Sequence, residues 1–326
     1  MSQKKNRIQA MTDWLKLSLD RPFSITPLST DAGFRRYFLI DFNDQTKQVA
    51  VDAPPETEDN ALFVRLSQWF TQQGIRVSQV LSADLEQGFM RQEFLPQIHL
   101  ADRLNAHNYA ECYQECFQQL AQIQQLDANQ QGLPSYSNAM IATEFKIFMD
   151  WYLPEVSNYT LSKKDLEILS NLNERLQTVF AEQKQVLVHR DYHCRNLMYD
   201  LNDKLTLIDY QGAVQGPLTY DLVSLLKDCY QQWPPAQVCM LSQAYRASYY
   251  PDIDDTQWQY WFDLTGLQRH LKCLGIFVRL AKRDGKTSYL KHLPLVKTYI
   301  LEVTAKYSEL AQQHTLFTQM FGTKYE

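Results

Sequence analysis

The sequence holds no stretch of about 18 apolar residues, so no membrane-spanning helix is expected. Its opening, MSQKKNRIQAMTDWLKLSL, lacks the continuous apolar core of a secretion signal. No block of basic residues occurs, and 32 Lys and Arg against 37 Asp and Glu leave a net charge of −5. That balance argues against nucleic acid or an anionic membrane as main partner. There is no CxxC pair among the six cysteines. Cys112 and Cys116 share a helical face, a spacing of core packing more than of metal binding. The scattered cysteines point to a reducing compartment, here the cytoplasm. Repeats and low-complexity tracts are also absent.

What is present divides into two patterns. Residues 3–19 have the spacing of an amphipathic helix. Then FSITPL (23–28), RRYFLIDF (35–42), KQVAVDA (47–53), RVSQVLSAD (76–84) and GFMRQEF (88–94) read as strands. Between them, 59–73 carries Leu62, Phe63, Leu66, Trp69 and Phe70 at helical spacing, with Gly74 as a stop. Beyond about residue 95 the periodicity is helical, over 109–126, 138–153, 163–182, 218–232, 236–249, 258–283 and 295–313. One interruption stands out. Val186-Leu187-Val188 reads as a buried strand end, and LMY (197–199) and KLTLID (204–209) read as a hairpin. The expectation is a small β-rich lobe over 1–94 and a larger helical lobe over 95–326.

The polar run His189-Arg190-Asp191-Tyr192-His193-Cys194-Arg195-Asn196 follows that strand end, a common place for chemistry. Asp191 and Asn196 have the spacing of H-R-D-x-x-x-x-N, and Asp209 ends the hairpin. The set suits phosphoryl transfer. One carboxylate accepts a hydroxyl proton, and an amide oxygen with a second carboxylate offers hard ligands to Mg²⁺. The hairpin would bring Asn196 back to Asp209. His189 is read as structural.

These motifs resemble the catalytic and metal loops of the aminoglycoside phosphotransferase-like kinases, which share the protein-kinase fold. Further blocks, DAGFRRYF, VDAPPE, PSYSNAMIATEFKIFMDWYL, IDYQGAVQGPLTYDLVSLLKD and LQRHLKCLGIFVRLAKRDGK, are similar to one subgroup. That subgroup phosphorylates N-acetylmuramate and N-acetylglucosamine at the anomeric hydroxyl. The resemblance implies an α+β bilobal fold, ATP and Mg²⁺ as cofactors and a small sugar as substrate. It implies Asp191 as base, Asn196 and Asp209 as metal ligands, and Ser29, Thr30, Asp31, Ala32, Gly33 and Phe34 as the loop over the phosphates. It also implies Gln92, Glu93, Phe94 and Leu95 as the hinge whose backbone meets adenine, and Asp221 as a brace of the catalytic loop.

Two departures matter. The strand-3 lysine of V-A-I-K is missing from Val49-Ala50-Val51-Asp52, so Arg35, Arg36 or Lys47 must replace it, and strand alternation favours Arg36. Gly212 stands where an acidic residue is expected, which leaves Asp209 alone in its loop.

On 264–283, Gln268, Lys272, Arg279 and Arg283 fall on one ordinary solvated face, opposite a leucine stripe. Arg269 and His270 sit on apolar flanks. Arg269 either pairs with Glu144 or Asp150, or lines the sugar site, where Glu144 and Trp151 are further candidates. A kinase of another small hydroxyl compound, such as an aminoglycoside, and a binding-only pseudokinase are the competing functions.

Overall fold

The computed structural model describes residues 2–28, 35–155 and 159–322. In chain order the elements are α1 (Ser2–Ser18), β1 (Phe23–Pro27), β2 (Arg36–Phe42), β3 (Lys47–Asp52), α2 (Asn60–Gln72), β4 (Val80–Asp84), β5 (Phe89–Glu93), α3 (Leu100–Arg103), α4 (Tyr109–Gln124) and α5 (Asn138–Ile147). A π-helical turn (Phe148–Tyr152) continues α5 into α6 (Leu153–Glu155). Then come α7 (Lys163–Glu182), β6 (Gln185–Val188), β7 (Leu197–Tyr199), β8 (Leu205–Leu207), β9 (Val214–Pro217), α8 (Tyr220–Leu226), α9 (Pro235–Tyr249), α10 (Asp255–Arg283), α11 (Leu293–Lys306) and α12 (Ala311–Phe321). No helix among the described residues is long and apolar enough to cross a membrane.

The chain packs as two units, residues 1–103 with 195–211, and residues 104–194 with 212–326. The first is built on an antiparallel sheet of order β1-β2-β3-β5-β4. Alternation along β2 sends Phe38, Ile40 and Phe42 to one face, where they pack with Met11 and Leu15 of α1. On the other side, Phe63 of α2 stacks on Tyr210 at 4.8 Å. The turn before β5 needs Gly88. Its φ is +72°, and a Cβ there would lie 2.1 Å from the Ala53 carbonyl oxygen.

The expected β7–β8 hairpin forms, with Leu197 opposite Leu207. Its packing differs from the division expected at residue 94, because it joins the first unit. The Leu207 N–H donates to the Arg76 carbonyl at 2.9 Å. The Arg76 guanidinium spans the Glu93 carboxylate at 2.6 and 2.8 Å and Asp200 at 2.9 Å. Helical periodicity predicted nothing of these cross-ties.

The second unit wraps α5, α7, α8 and α11 around α10. The expected stripe of Leu264, Leu267, Leu271, Leu274 and Val278 is fully buried. β6 is the strand expected from Val186-Leu187-Val188. It pairs with β9, which its Gly216 and Pro217 had hidden in the sequence. Helix 218–232 ends early, at Leu226.

Gln268 and Lys272 overturn the expectation of a solvated face. They are 1% and 7% exposed. Both point at Glu144, itself buried, so the polar side of this helix is an internal one.

Candidate active site

In the second unit, β6 delivers the chain to a loop clamped at both ends by carboxylates. The His189 and Arg190 N–H groups donate to Asp221 at 2.6 and 3.0 Å. The Cys194 N–H donates to Asp228 at 3.0 Å. Asp221 lies in the first turn of α8, and Asp228 lies two residues past its end, where no helical spacing marks it in the sequence. Burial pushes the Asp221 carboxyl up to about 7, against its two N–H donors. Between the clamps Arg190 adopts φ +76°, a left-handed conformation that is rare for arginine. Strained backbone of this kind clusters at functional sites.

Asp191 emerges from this loop exposed to solvent. Loss of solvation by the packed atoms around it pushes its carboxyl up. The Lys272 charge, followed by His193, Arg269 and His189, outweighs that and holds it down to about 2. Asp191 is thus a carboxylate at every pH of interest. His189 is 2% exposed, with its Nδ1 3.3 Å from the Asp191 amide, and has a structural position.

Glu144 is not a surface substrate contact. Its carboxylate takes Arg190 at 2.5 Å, Lys272 at 3.0 Å and Gln268 at 2.9 Å, and Tyr136 donates a hydroxyl to it. Desolvation raises its pKa, and Lys272 and Arg190 overcome this to leave it at about 2. It fixes the residue before Asp191 and the lysine beside it. The expected Arg269 partners are also corrected. Glu144 is committed as above, and Asp150 pairs with Lys146 at 2.7 Å. Arg269 is 4% exposed, with a nitrogen 3.6 Å from the Cys229 sulfur. Trp151 lies half-buried in the π-helical turn, against the core of this unit.

In the first unit, the backbone brings Asn196 and Asp209 to the open end of the hairpin. The Ile208 N–H donates to the Asn196 carbonyl at 3.1 Å, so Asp209 follows directly. Asp209 is exposed, with φ +63°, and accepts from Gln211 at 2.7 Å through one oxygen. An amide and an exposed carboxylate at one end of a hairpin are the donor types a hard divalent cation takes. No cluster of three or more His, Cys, Asp or Glu occurs among the described residues.

The same unit settles where Arg36 of β2 and the preceding Arg35 point. Arg36 lies on the α1 face, where its Nε donates to Asp52 at 2.9 Å. Arg7 of α1 takes the other oxygen of that buried carboxylate at 2.9 Å. The preference for Arg36 as a nucleotide contact is corrected by this pairing. Arg35 lies on the opposite face. It is 6% exposed, 3.0 Å from Glu58 and 4.5 Å over the Phe63 ring, which stacks on the neighbour of Asp209. Among the described residues no acceptor meets its three guanidinium nitrogens with hydrogen-bond geometry. Lys47 is exposed, 3.9 Å from Asp41. Ser29, Thr30, Asp31, Ala32, Gly33 and Phe34 lie outside the described residues. At the hinge, Gln92 is buried and the Glu93 carboxylate is held by Arg76. Phe94 is half-buried and Leu95 buried just past the strand end.

A kinase-like α+β fold with this loop and hairpin defines a class, and sequence comparison agrees with it. Residues 24–258 match the phosphotransferase enzyme family, and the chain belongs to that family. An N-acetylmuramate/N-acetylglucosamine kinase of Pseudomonas aeruginosa is 34% identical over 92% of this chain and 89% of its own. Another, of Neisseria meningitidis, is 32% identical over 96% and 95%. Among solved structures, the streptomycin–ATP ternary complex of the aminoglycoside phosphotransferase APH(2")-IIa aligns with a TM-score of 0.60. It has 13% identity and covers 89% of this chain and 98% of its own, a likeness of fold.

Proposed function

We propose that this phosphotransferase moves the γ-phosphoryl group of ATP to the anomeric hydroxyl of N-acetylmuramate and N-acetylglucosamine in the cytoplasm, with Mg²⁺. The observation that carries the reading is Asp191, an exposed carboxylate kept ionised by Lys272, His193 and Arg269. Two relatives of similar length bear that kinase name. Six free cysteines suit a reducing compartment.

Bound Mg-ATP supplies the phosphoryl group and neutralises its charge. Asn196 and Asp209 are the oxygen ligands for the metal. Arg35 takes the place of the missing strand lysine at the phosphates, and the backbone past Glu93 meets the base. Asp191 orients the acceptor hydroxyl and accepts its proton. A carboxylate with a pKa near 2 is a weak base, so the proton moves late. A hemiacetal hydroxyl, more acidic than an ordinary alcohol, matches it. Positioning supplies most of the acceleration.

The aminoglycoside reading is disfavoured by charge. Lys272, Arg269 and His193 around Asp191 repel a polycation. A pseudokinase would not need Asp191, Asn196 and Asp209 together. Purified protein, Mg-ATP and a panel of amino sugars and aminoglycosides, read by phosphorus NMR, test the proposal. A glycosyl phosphate resonance from the two sugars is expected. Phosphorylation at another hydroxyl, or of aminoglycosides alone, would overturn it.

A further inference from the structure

Arg269, Lys272, Ile276, Arg279 and Arg283 are spaced 3, 4, 3 and 4 residues apart along α10. At 100° per residue they occupy one strip of the helix, about 80° wide. The strip emerges gradually. Arg269 and Lys272 are buried, Ile276 and Arg279 half-buried, and Arg283 exposed. Its buried end is the source of the positive charge on Asp191. Aromatic side chains border it, Phe277 buried and Tyr230 half-buried. On one side Phe277 meets Tyr230 at 6.1 Å, and Tyr230 meets the His193 ring at 5.3 Å. On the other side Gly275 lies so close to α5 that a Cβ would be 2.4 Å from the Ile147 carbonyl oxygen. The π-helical turn with Trp151 follows immediately. Such turns are frequent at functional sites.

Most charges on this part of the helix are matched by carboxylates; among the described residues Arg269, with a nitrogen 3.6 Å from the Cys229 sulfur, and Arg279 are not. Lys272 has Glu144 at 3.0 Å, Lys282 has Glu155 at 3.2 Å, and Arg283 has Asp284 at 2.7 Å. Arg279 has no carboxylate within ion-pair distance among the described residues. Its Nε is buried without an acceptor. Desolvation and then the nearby Arg283 push its pKa down, and Asp284 offsets only part of this. A half-desolvated guanidinium with no anion calls for one from outside.

We propose that Arg279 is the specificity-determining residue that reads the carboxylate of an anionic amino sugar. The inference rests on the functional reading above. Seven residues of helix set Arg279 about 10 Å along the strip from Lys272, which holds Asp191 ionised. A sugar whose hydroxyl lies at Asp191 extends along the strip toward Arg279. A carboxylate on an ether substituent then meets a planar, bidentate donor. Neutral N-acetylglucosamine has no group for it, so Arg279 separates the two acceptors. Arg269, too deep in the core for this contact, supplies charge to Asp191 from behind.

The test is kcat/KM for N-acetylmuramate and N-acetylglucosamine in wild type, Arg279→Gln, Arg279→Lys and, as a control, Arg283→Gln. Arg279→Gln should lose about 10- to 100-fold with N-acetylmuramate, the size of one charge-assisted hydrogen-bonded contact. The loss should fall mainly in KM, with N-acetylglucosamine within about twofold of wild type. Arg279→Lys should recover part of the loss, and Arg283→Gln should match wild type. Equal losses for both sugars, or none, would overturn the inference while leaving the kinase reading intact. Wild-type protein that phosphorylates neither sugar would overturn both.

Discussion

Two adjacent arginines at the start of β2, Arg35 just before it and Arg36 its first residue, have different neighbours and therefore different fates. Arg36 sits under α1, with its charge spent on a buried aspartate that Arg7 shares. Arg35 sits on the face of Phe63 and Tyr210, buried, with Glu58 at 3.0 Å but no acceptor in hydrogen-bond geometry among the described residues. Arg35→Ala should therefore raise KM for ATP roughly tenfold or more, the value of a charged hydrogen-bonding group, and spare KM for sugar. Arg36→Ala should leave both KM values near wild type and lower the melting temperature, since it leaves part of the buried Asp52 charge uncompensated. Steady-state kinetics and thermal unfolding of the pair separate these outcomes. A raised ATP KM only in the Arg36 variant would restore the sequence-based preference. Asp191 is simpler. Asp191→Asn should bind ATP as wild type does and lose about 10²–10⁴ in turnover. With its carboxyl held at about 2, a base must be unprotonated to act, so Asp191 sets no acid limb above about pH 4. A kcat/KM profile that falls with a pKa of 5–7 in wild type and is flat in the Asn variant would assign that limb to Asp191 and overturn its low pKa.

At the scale of elements, the Glu144 side chain joins α5, the strained Arg190 and α10. Its pKa is lowered in the fold from 4.5 to about 2, so the carboxylate form is the stabilised one. The stability it contributes, on the order of 3 kcal/mol, is fully present above about pH 4.5 and is lost as pH falls toward 2. Urea unfolding of wild type and Glu144→Gln should show a constant gap from pH 7 to 5 that narrows below 4.5. A gap independent of pH down to 3 would mean the charge contributes nothing. These joints show what the sequence could and could not disclose. The leucine stripe of α10, the β7–β8 hairpin and the strand before the catalytic loop were readable, because local periodicity and turn residues decide them. Burial of Gln268 and Lys272 was not, because angular position on a helix says which residues share a face and never what covers it. The π-helical turn adds one residue to a regular repeat and so vanished into a continuous helix, although Gly275 opposite it marked a close backbone approach. Helix α8 stops before the end its periodicity suggested, and Asp228, just past the stop, takes the Cys194 amide. Strand alternation separated Arg35 from Arg36, and only the position of α1 told which face was which.

At the scale of the whole chain, the candidate residues divide between the two packing units. Asn196, Asp209 and Arg35 belong to the first, and Asp191, Glu144 and Arg279 to the second. The chain passes from one unit to the other between Cys194 and Arg195, inside the motif that names both a base and a metal ligand. This division assigns tasks as well as residues. Changes in the first unit should alter handling of nucleotide and metal, and changes around Asp191 in the second should alter handling of sugar and proton. Asn196→Ala and Asp209→Ala are the cleanest probes of the first half. Both side chains lie at the open end of a hairpin whose backbone pairing needs neither of them, so the fold should persist. Each removes one hard oxygen ligand, and the lone carboxylate, with Gly212 in place of a second acid, matters more. The Mg²⁺ concentration for half-maximal activity at saturating ATP should rise in both variants, by roughly tenfold or more for Asp209→Ala, the worth of one charged contact. KM for N-acetylglucosamine, measured at saturating Mg²⁺, should remain within about twofold. A wild-type Mg²⁺ titration in either variant would strike that residue from the ligand set. A sugar KM that rises in step with the Mg²⁺ requirement would show that the two tasks are not divided along the chain in this way.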